Sequence, residues 1–385
     1  MSARRVTRRR VRLIGTACAS LLLVATGCGA DEPAPSPTSP PPPSASSEPA
    51  PQPPPPPTGV QGTIATDLRI PWAIAFLPDG TALVTEREGR IVRVGPERDG
   101  DGLAVSEVQT IEVNPAGEGG LLGIAISPQY ETDELIYVYY TTGQDNRIAR
   151  LRLGEQPEPV LTGIPRGTNH NGGRLGFGPD GYLYATTGDS GQPDRAQDRD
   201  SLAGKVLRMT PEGQPAPGNP FDSHVWAYGL RNPQGLAWDA SQRLWVTEFG
   251  QDQWDEVNRI EPGGNYGWPI VEGEADDDRF VNPAVVWRPA EASCSGAAVA
   301  GDTLYVACLR GQRMWAMQLT GSGTMLGAPE PLLVEEYGRL RAVVVAPDGS
   351  LWVSTSNHDN RLRRDPHPDD DRIIQFGVAG SAGRA

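Results

Sequence analysis

Six segments of the chain repeat one pattern, and this repetition restricts the possible folds more than any other feature. Each copy has a short strand of alternating apolar and polar residues, a polar turn and a second such strand, as half-buried antiparallel sheets require. The copies begin at residues 71, 120, 173, 233, 294 and 340 and read PWAIAFLPDGTALVTEREGRIVRV, GLLGIAISPQYETDELIYVYYT, GRLGFGPDGYLYATTGDSG, PQGLAWDASQRLWVTEFG, CSGAAVAGDTLYVACLRGQRMWAMQL and LRAVVVAPDGSLWVSTSN.

The turn between the two strands is PDG in three of the copies and a polar variant in the others. Proline presets the turn, aspartate caps it, and glycine takes the positive φ. The copies are spaced by roughly 45 to 60 residues, which is typical of propeller blades with loops inserted between strands. The sequence therefore predicts an all-β, six-bladed β-propeller over residues 59–379. A large β-sandwich or two β domains are disfavoured by six copies of one two-strand unit.

The N-terminal 27 residues have the composition of an export signal. A basic stretch, MSARRVTRRRVR, precedes LIGTACASLLLVA, which is too short for an ordinary membrane-spanning helix. The following TGCG resembles a bacterial lipobox with Cys28 as the lipid-bearing residue; the alternative is an ordinary signal peptide cleaved nearby. We expect an exported protein that is anchored to the cell membrane by its N-terminal lipid.

Residues 28–58 form a Pro/Ser-rich linker between this cysteine and the repeats, and residues 380–385 form a short tail. The linker is almost free of bulky apolar side chains and cannot bury a core. We expect it to act as an extended spacer that holds the repeat domain away from the membrane.

The formal net charge is −14, and residues 1–27 contribute six arginines and no acid, so the remainder is more acidic still. Lys205 is the only lysine. Such a surface repels nucleic acid and anionic lipid, so we expect no nucleic-acid partner and membrane contact only through the lipid.

Four cysteines are present, of which Cys18 lies in the signal and Cys28 in the lipobox. Cys294 and Cys308 flank a candidate hairpin in an exported domain, and a disulfide is the natural interpretation. A reactive or metal-binding pair is less favoured, because there is no CxxC motif and no nearby histidine. Without a CxxCH motif the chain carries no c-type haem of its own, so any redox activity requires an external electron acceptor.

The segments between the repeated strands are dense in Gly, Asn, Arg and acidic residues. They include GEGGLLG (117–123), NHNGGRL (169–175), GLRNPQGLAWD (229–239), EFGQDQWDEVNRI (248–260), GGNYGWP (263–269) and RLRAVVVAPDG (339–349). In this order they resemble the PQQ-dependent soluble glucose dehydrogenase and aldose sugar dehydrogenase family, also called glucose/sorbosone dehydrogenases. The resemblance covers residues 60 to 376 and implies pyrroloquinoline quinone (PQQ) held with Ca²⁺ above the central channel.

The resemblance assigns the cofactor to an arginine cluster. PQQ carries three carboxylates, and arginine pairs with carboxylates in a planar, bidentate way. The implied cofactor-binding residues are Arg231, Asn232, Arg310, Arg339 and Arg341. An acidic domain that concentrates arginines in such loops is well suited to bind an anion.

His170 matches the catalytic base of the family, which takes the proton of the anomeric hydroxyl of an aldose while hydride passes to PQQ. An imidazole titrates near neutral pH and suits this task. The resemblance places Glu118 and Asn169 beside the substrate. It assigns Ca²⁺, a hard cation that prefers oxygen ligands, to the backbone carbonyls of Gly250 and Gln251.

Three positions depart from the glucose enzymes: Asn169 replaces an aspartate, and Glu118 and Phe249 each replace a glutamine. These changes favour the aldose sugar dehydrogenase branch, with a more open site and a broader substrate range; the expected substrate is a small-molecule aldose. Two other functions remain open at this stage. One is a noncatalytic propeller that binds carbohydrate or protein, and the other is a metal-dependent lactonase, against which the arginines argue.

Overall fold

Strands dominate the computed structural model, which describes residues 58–359 and 366–378. The proposed signal, Cys28, nearly all of the linker and the tail lie outside the described residues. Within them the chain forms 24 strands in six four-stranded antiparallel sheets, as the all-β, six-bladed propeller prediction requires. No helix in this part of the chain is both long enough and apolar enough to cross a membrane.

The first strand, β1 (Gly59–Ala65), belongs to the last sheet. Blade 1 contains β2 (Pro71–Phe76), β3 (Ala82–Glu86), β4 (Arg90–Asp99) and β5 (Gly102–Thr110). Blade 2 contains β6 (Leu121–Ile126), β7 (Ile136–Thr141), β8 (Asn146–Leu151) and β9 (Glu158–Ile164). Blade 3 contains β10 (Leu175–Phe177), β11 (Leu183–Thr187), β12 (Lys205–Met209) and β13 (Val225–Tyr228). Blade 4 contains β14 (Pro233–Trp238), β15 (Leu244–Glu248), β16 (Asp255–Ile260) and β17 (Val285–Trp287). Blade 5 contains β18 (Cys294–Ala300), β19 (Thr303–Cys308), β20 (Arg313–Gln318) and β21 (Glu330–Leu332). Blade 6 contains β22 (Leu340–Val345), β23 (Leu351–Thr355) and β24 (Ile373–Gly377), and β1 completes it. A helical turn, α1 (Tyr130–Asp133), and a 3-10 turn (Pro193–Ala196) lie in connections.

The ring of blades is closed by strands from both ends of the described chain. β1 pairs antiparallel with β24, from Gly59 opposite Gly377 to Ala65 opposite Ile373. The closure therefore rests on backbone hydrogen bonds between segments that are far apart in sequence.

The PDG turns adopt the geometry that their residues predict. In blade 1, Asp79 Oδ1 accepts the Thr81 N–H at 2.8 Å, and Gly80 has φ 84°. Asp180 and Asp348 repeat the same carboxylate-to-amide bond in blades 3 and 6. Each turn joins the first strand of its blade to the second.

Threonines near the ends of second strands join neighbouring blades. The Thr85 hydroxyl accepts the Ala73 N–H at 3.1 Å within blade 1 and donates to the Leu122 carbonyl of blade 2 at 2.6 Å. Thr247 likewise donates to the Ser295 carbonyl of blade 5 at 3.0 Å. These buried bonds fix the spacing of the inner strands around the ring.

Cys294 and Cys308 are paired residues of β18 and β19 and are joined by a disulfide. Because strands alternate in direction, each blade's first strand begins on the face of the ring where its second strand ends. Loops that precede first strands and loops that follow second strands therefore meet on one face, where the candidate site lies.

Candidate active site

The loops of this face surround a small polar pocket at the mouth of the central channel. Its lining residues come from five blades, at or near the starts of first strands and the ends of second strands. They are Trp72, Arg87, Glu118, Gln234, Phe249, Leu309, Arg341 and Asp359. Four of them, Glu118, Gln234, Phe249 and Arg341, lie in the sequence motifs that predicted a site.

His170 is held by a buried carboxylate that the sequence motifs did not identify. Its Nδ1 lies 2.7 Å from Oδ1 of Asp189, whose side chain is fully buried. Asp189 Oδ2 accepts the Trp268 Nε1–H at 2.8 Å. A carboxylate on Nδ1 fixes the tautomer with Nε2 as the basic nitrogen, which is the arrangement of a general base.

The backbone around His170 is anchored by residues of three blades. The His170 N–H donates to Glu118 Oε2 at 2.9 Å, and its carbonyl accepts the Ser190 N–H at 3.0 Å. Asn232 Oδ1 accepts the Gly172 N–H at 3.1 Å. These bonds hold His170 at φ 55°, a left-handed conformation that is uncommon for residues other than glycine.

Two guanidinium groups, those of Arg174 and Arg341, are buried at the pocket. Arg174 lies over the Trp72 ring at 4.2 Å and donates to the Gln234 carbonyl at 2.8 Å. Arg341 donates to Gln234 Oε1 at 3.2 Å and lies 3.8 Å from Asp359. Burial lowers the pKa of Arg174 to about 9 and that of Arg341 to about 10, so both cations favour an anionic ligand nearby.

The other arginines of the cluster differ in how they are paired. Arg339 forms a buried ion pair with Asp359 at 2.8 Å. Arg231 donates through Nη1 to the carbonyls of Phe249 at 3.0 Å and Gly250 at 2.6 Å. Buried nitrogens without a hydrogen-bond partner in the described part of the chain include Nε of Arg231, Nε of Arg341 and Nη2 of Arg174. Such unpaired donors around one pocket fit an anionic cofactor.

Three buried carboxylates lie behind the loop that follows β15. Glu248 and Glu256 are directly opposite each other in β15 and β16, and Asn258 Nδ2 donates to both at 3.2 and 3.0 Å. Burial raises the pKa of Glu256 to about 7 and that of Glu248 well above its usual range. Asp255 accepts the Gly250 N–H at 2.8 Å, and burial raises its pKa to about 6.

Comparison with known proteins identifies the family of the chain. Residues 68–364 match the family model for Glucose / Sorbosone dehydrogenase. The chain belongs to the glucose/sorbosone dehydrogenase family.

Two relatives of this family member have activities in their names. The chain is 29% identical to aldose sugar dehydrogenase YliI of Escherichia coli over 332 residues. This alignment covers 76% of this chain and 88% of the relative. The chain is 34% identical over 257 residues to quinoprotein glucose dehydrogenase B of Acinetobacter calcoaceticus, covering 56% and 54% of the two chains.

Solved structures of the family share the fold at higher identity. The PQQ-bound form of aldose sugar dehydrogenase from Streptomyces coelicolor is 49% identical, with a TM-score of 0.78 over 83% of this chain and 97% of that one. A putative glucose dehydrogenase from Thermus thermophilus is 41% identical, with a TM-score of 0.76 over 83% and 100% of the two chains.

The residues that the family resemblance implies do not all lie at the pocket. Glu118 and Arg341 line it, His170 is bonded to Glu118, and Arg339 is bonded to the lining residue Asp359. Asn169 and Arg310 are exposed, and it is Leu309 that lines the pocket beside Arg310.

Sequence reasoning missed Asp189 and Asp359 in this family member's site, and it gave no role to Arg174 and Gln234, although both lie in the quoted motifs. A signal for Asp189 was present, because second strands of two other blades end in Thr85–Glu86 and Thr247–Glu248. Asp189 follows Thr187 and Gly188 at the corresponding end of β11.

Proposed function

We propose that the protein oxidises the anomeric hydroxyl of aldose sugars to lactones in a PQQ- and Ca²⁺-dependent reaction. The observation that carries the proposal is the position of Glu118, which accepts the His170 N–H and also lines the pocket over the buried arginines. One residue thus connects the candidate base to the candidate anion site. Membership of the glucose/sorbosone dehydrogenase family and 49% identity to a PQQ-bound aldose sugar dehydrogenase support the same assignment.

His170 acts as the general base of the proposed reaction. Asp189 accepts the Nδ1–H and leaves Nε2 to take the proton of the anomeric hydroxyl as C1 of the sugar loses hydride. The Asp189 carboxylate also stabilises the imidazolium that forms, because it lies 2.7 Å away in a buried setting. Trp268 holds Asp189 in this orientation through the second carboxylate oxygen.

The residues proposed to hold PQQ are Arg231, Asn232, Arg310, Arg339 and Arg341. When bound, PQQ supplies the two-electron acceptor for the hydride, and Ca²⁺ supplies Lewis acidity at the reacting carbonyl. The unpaired Nε groups of Arg231 and Arg341 are free to donate to cofactor carboxylates. Asn232 is almost fully buried beside the His170 turn and would orient the cofactor against the base.

The carbonyls of Gly250 and Gln251 are proposed as protein ligands of Ca²⁺. The Gly250 carbonyl accepts a guanidinium N–H of Arg231 at 2.6 Å, so this oxygen already attracts a cation. A calcium ion at Gly250 would compete with Arg231, and Arg231 would then be released toward an anionic partner. Glu118 and Asn169 are proposed to contact the sugar, Asn169 from the exposed rim.

We further propose that the protein is exported and lipid-anchored through Cys28, with residues 31–58 as a spacer and an external molecule as the final electron acceptor. The apolar stretch before TGCG supports export. Replacement of Cys28 with Ser should release the protein from the membrane fraction of its host.

The decisive test uses the domain from residue 58, purified without cofactor. Reduction of an electron-accepting dye would be followed with a panel of aldoses, with and without PQQ and Ca²⁺, for the wild type and His170→Ala. Dye reduction that requires PQQ, Ca²⁺ and His170 supports the proposal. PQQ binding without turnover would favour a noncatalytic binding propeller, and no PQQ binding would overturn the redox assignment.

A further inference from the structure

The loop after β15 is wrapped around a single carboxylate oxygen. Four consecutive backbone N–H groups donate to Oε1 of Glu272: Gln251 at 2.8 Å, Asp252 at 3.0 Å, Gln253 at 2.9 Å and Trp254 at 3.0 Å. Glu272 lies in the connection between β16 and β17, well after the loop in sequence. Converging amides of this kind form a concave anion-binding nest, here filled by the protein's own side chain.

The direction of these amides fixes the direction of the carbonyls. In a trans peptide the N–H and the preceding C=O point to opposite sides. Amides of Gln251 and Asp252 that face Glu272 therefore turn the carbonyls of Gly250 and Gln251 away from it. Arg231 occupies this outer side, because its Nη1 lies 2.6 Å from the Gly250 carbonyl oxygen.

The start of the loop is tightly packed, and position 250 has room only for a glycine. A Cβ on Gly250 would lie 1.6 Å from the Trp254 carbonyl oxygen and 2.8 Å from Glu272 Oε1. The Gly250 N–H is also taken, by Asp255 Oδ1 at 2.8 Å. Each amide at the start of the loop thus points inward to a carboxylate, and the carbonyls on its outer side are left for a cation.

We infer that Glu272 is a positioning residue for the proposed calcium site: it holds the Gly250 and Gln251 carbonyls in the orientation that ligates the ion. The inference rests on the proposed function, since it concerns the same Ca²⁺. Glu272 acts from the side of the loop opposite the ion, with Oε1 engaged by amides. Its negative charge adds to the attraction for a divalent cation in a partly buried setting.

The test measures calcium affinity directly. The full chain, purified without cofactor, would be titrated with Ca²⁺ by calorimetry and with Tb³⁺ by luminescence, in the absence and presence of PQQ. Glu272→Ala should weaken Ca²⁺ binding about 10- to 100-fold, the usual effect of losing a residue that orients a metal ligand. Glu272→Gln keeps an acceptor oxygen and should lose less. Glu274→Ala, at an exposed position two residues on, is the matched control and should bind like the wild type.

Each outcome decides a separate question. If a folded Glu272→Ala binds Ca²⁺ as tightly as the wild type, Glu272 has no positioning role, even if the melting temperature falls. If the wild type binds no Ca²⁺ with or without PQQ, the calcium assignment of the proposed function is wrong and this inference falls with it. The inference is supported if Ca²⁺ binding is weakest in Glu272→Ala, intermediate in Glu272→Gln and unchanged in Glu274→Ala.

Discussion

Asp189 contacts the Nδ1 of His170 at 2.7 Å from a fully buried position, although Asn169 is the direct neighbour of the histidine in sequence. The carboxylate that a base of this kind needs is therefore supplied from the end of β11. Asn169 stands where the glucose enzymes have an aspartate, but it is exposed. The imidazole of His170 keeps a carboxylate partner because Asp189 supplies it. This relationship makes the base testable separately from the rest of the site.

Asp189→Asn should lower kcat by about 100-fold or more, the usual contribution of a positioned general base. The amide no longer stabilises the imidazolium and can hold the wrong tautomer, whereas sugar binding is largely retained. Steady-state dye reduction with PQQ and Ca²⁺ would separate kcat from KM. Asn169→Ala, which removes a proposed sugar contact beside the histidine, should raise KM and leave kcat within a few-fold of the wild type. A similar loss of kcat in Asp189→Asn and Asn169→Ala would contradict the assignment of the carboxylate role to Asp189 alone.

Removal of the positive charge at Arg339 and at Arg341 should change the stability of the apoprotein in different ways. Arg339→Met leaves Asp359 buried without its main partner and should cost about 3 kcal/mol of unfolding free energy. Arg341→Met removes a buried cation that burial destabilises, so the apoprotein should be as stable as the wild type or more stable.

Both variants should bind PQQ at least 10-fold more weakly, because each removes a donor to an anion. Calorimetric PQQ titration and urea unfolding of the apoproteins would measure the two effects. Equal destabilisation by both variants would show that Arg341 is as well compensated as Arg339.

Glu256 should make the stability depend on pH. Burial raises its pKa from 4.5 to about 7, so the folded state keeps a proton that the unfolded state releases. Its contribution is present below pH 4.5 and is lost as the pH rises through 7. Glu256→Gln should therefore gain stability relative to the wild type with rising pH, by up to about 3 kcal/mol at about pH 8. Urea unfolding at about pH 5 and about pH 8 would measure this gain, with the exposed Glu274→Gln as control.

The Cys294–Cys308 disulfide should stabilise the domain without determining its fold. A short loop of this size is worth about 3 kcal/mol in unfolding free energy. The double variant Cys294→Ala, Cys308→Ala should lose about this amount and keep its β-rich circular dichroism, because β18 and β19 pair along their whole length. A reductant should lower the melting temperature of the wild type only. Reaction of both cysteines with a thiol reagent in the denatured, unreduced wild type would mean that the bridge is not formed in solution.

The local parts of the fold could be predicted from the sequence, and the non-local parts could not. The PDG turns and strand alternation repeat within short segments, so six copies are enough to predict the ring. The pairing of β1 with β24 has no sequence signal of its own, because it depends on where the sixth blade ends. His170 and Arg341 are visible in motifs, but the bond from His170 to Asp189 follows from loop paths that no short motif specifies.

The pairing of β1 with β24 also determines when the ring can close during synthesis of the chain. Strand β1 cannot pair until β24 (Ile373–Gly377) has been made. Until then the chain can form five complete blades and a sixth with an open sheet edge. Open edges are templates for association with other chains, and long-range pairing is slow. A chain that lacks Ile373–Gly377 would keep the sheet edge of blade 6 open, so this strand is needed to cover that edge.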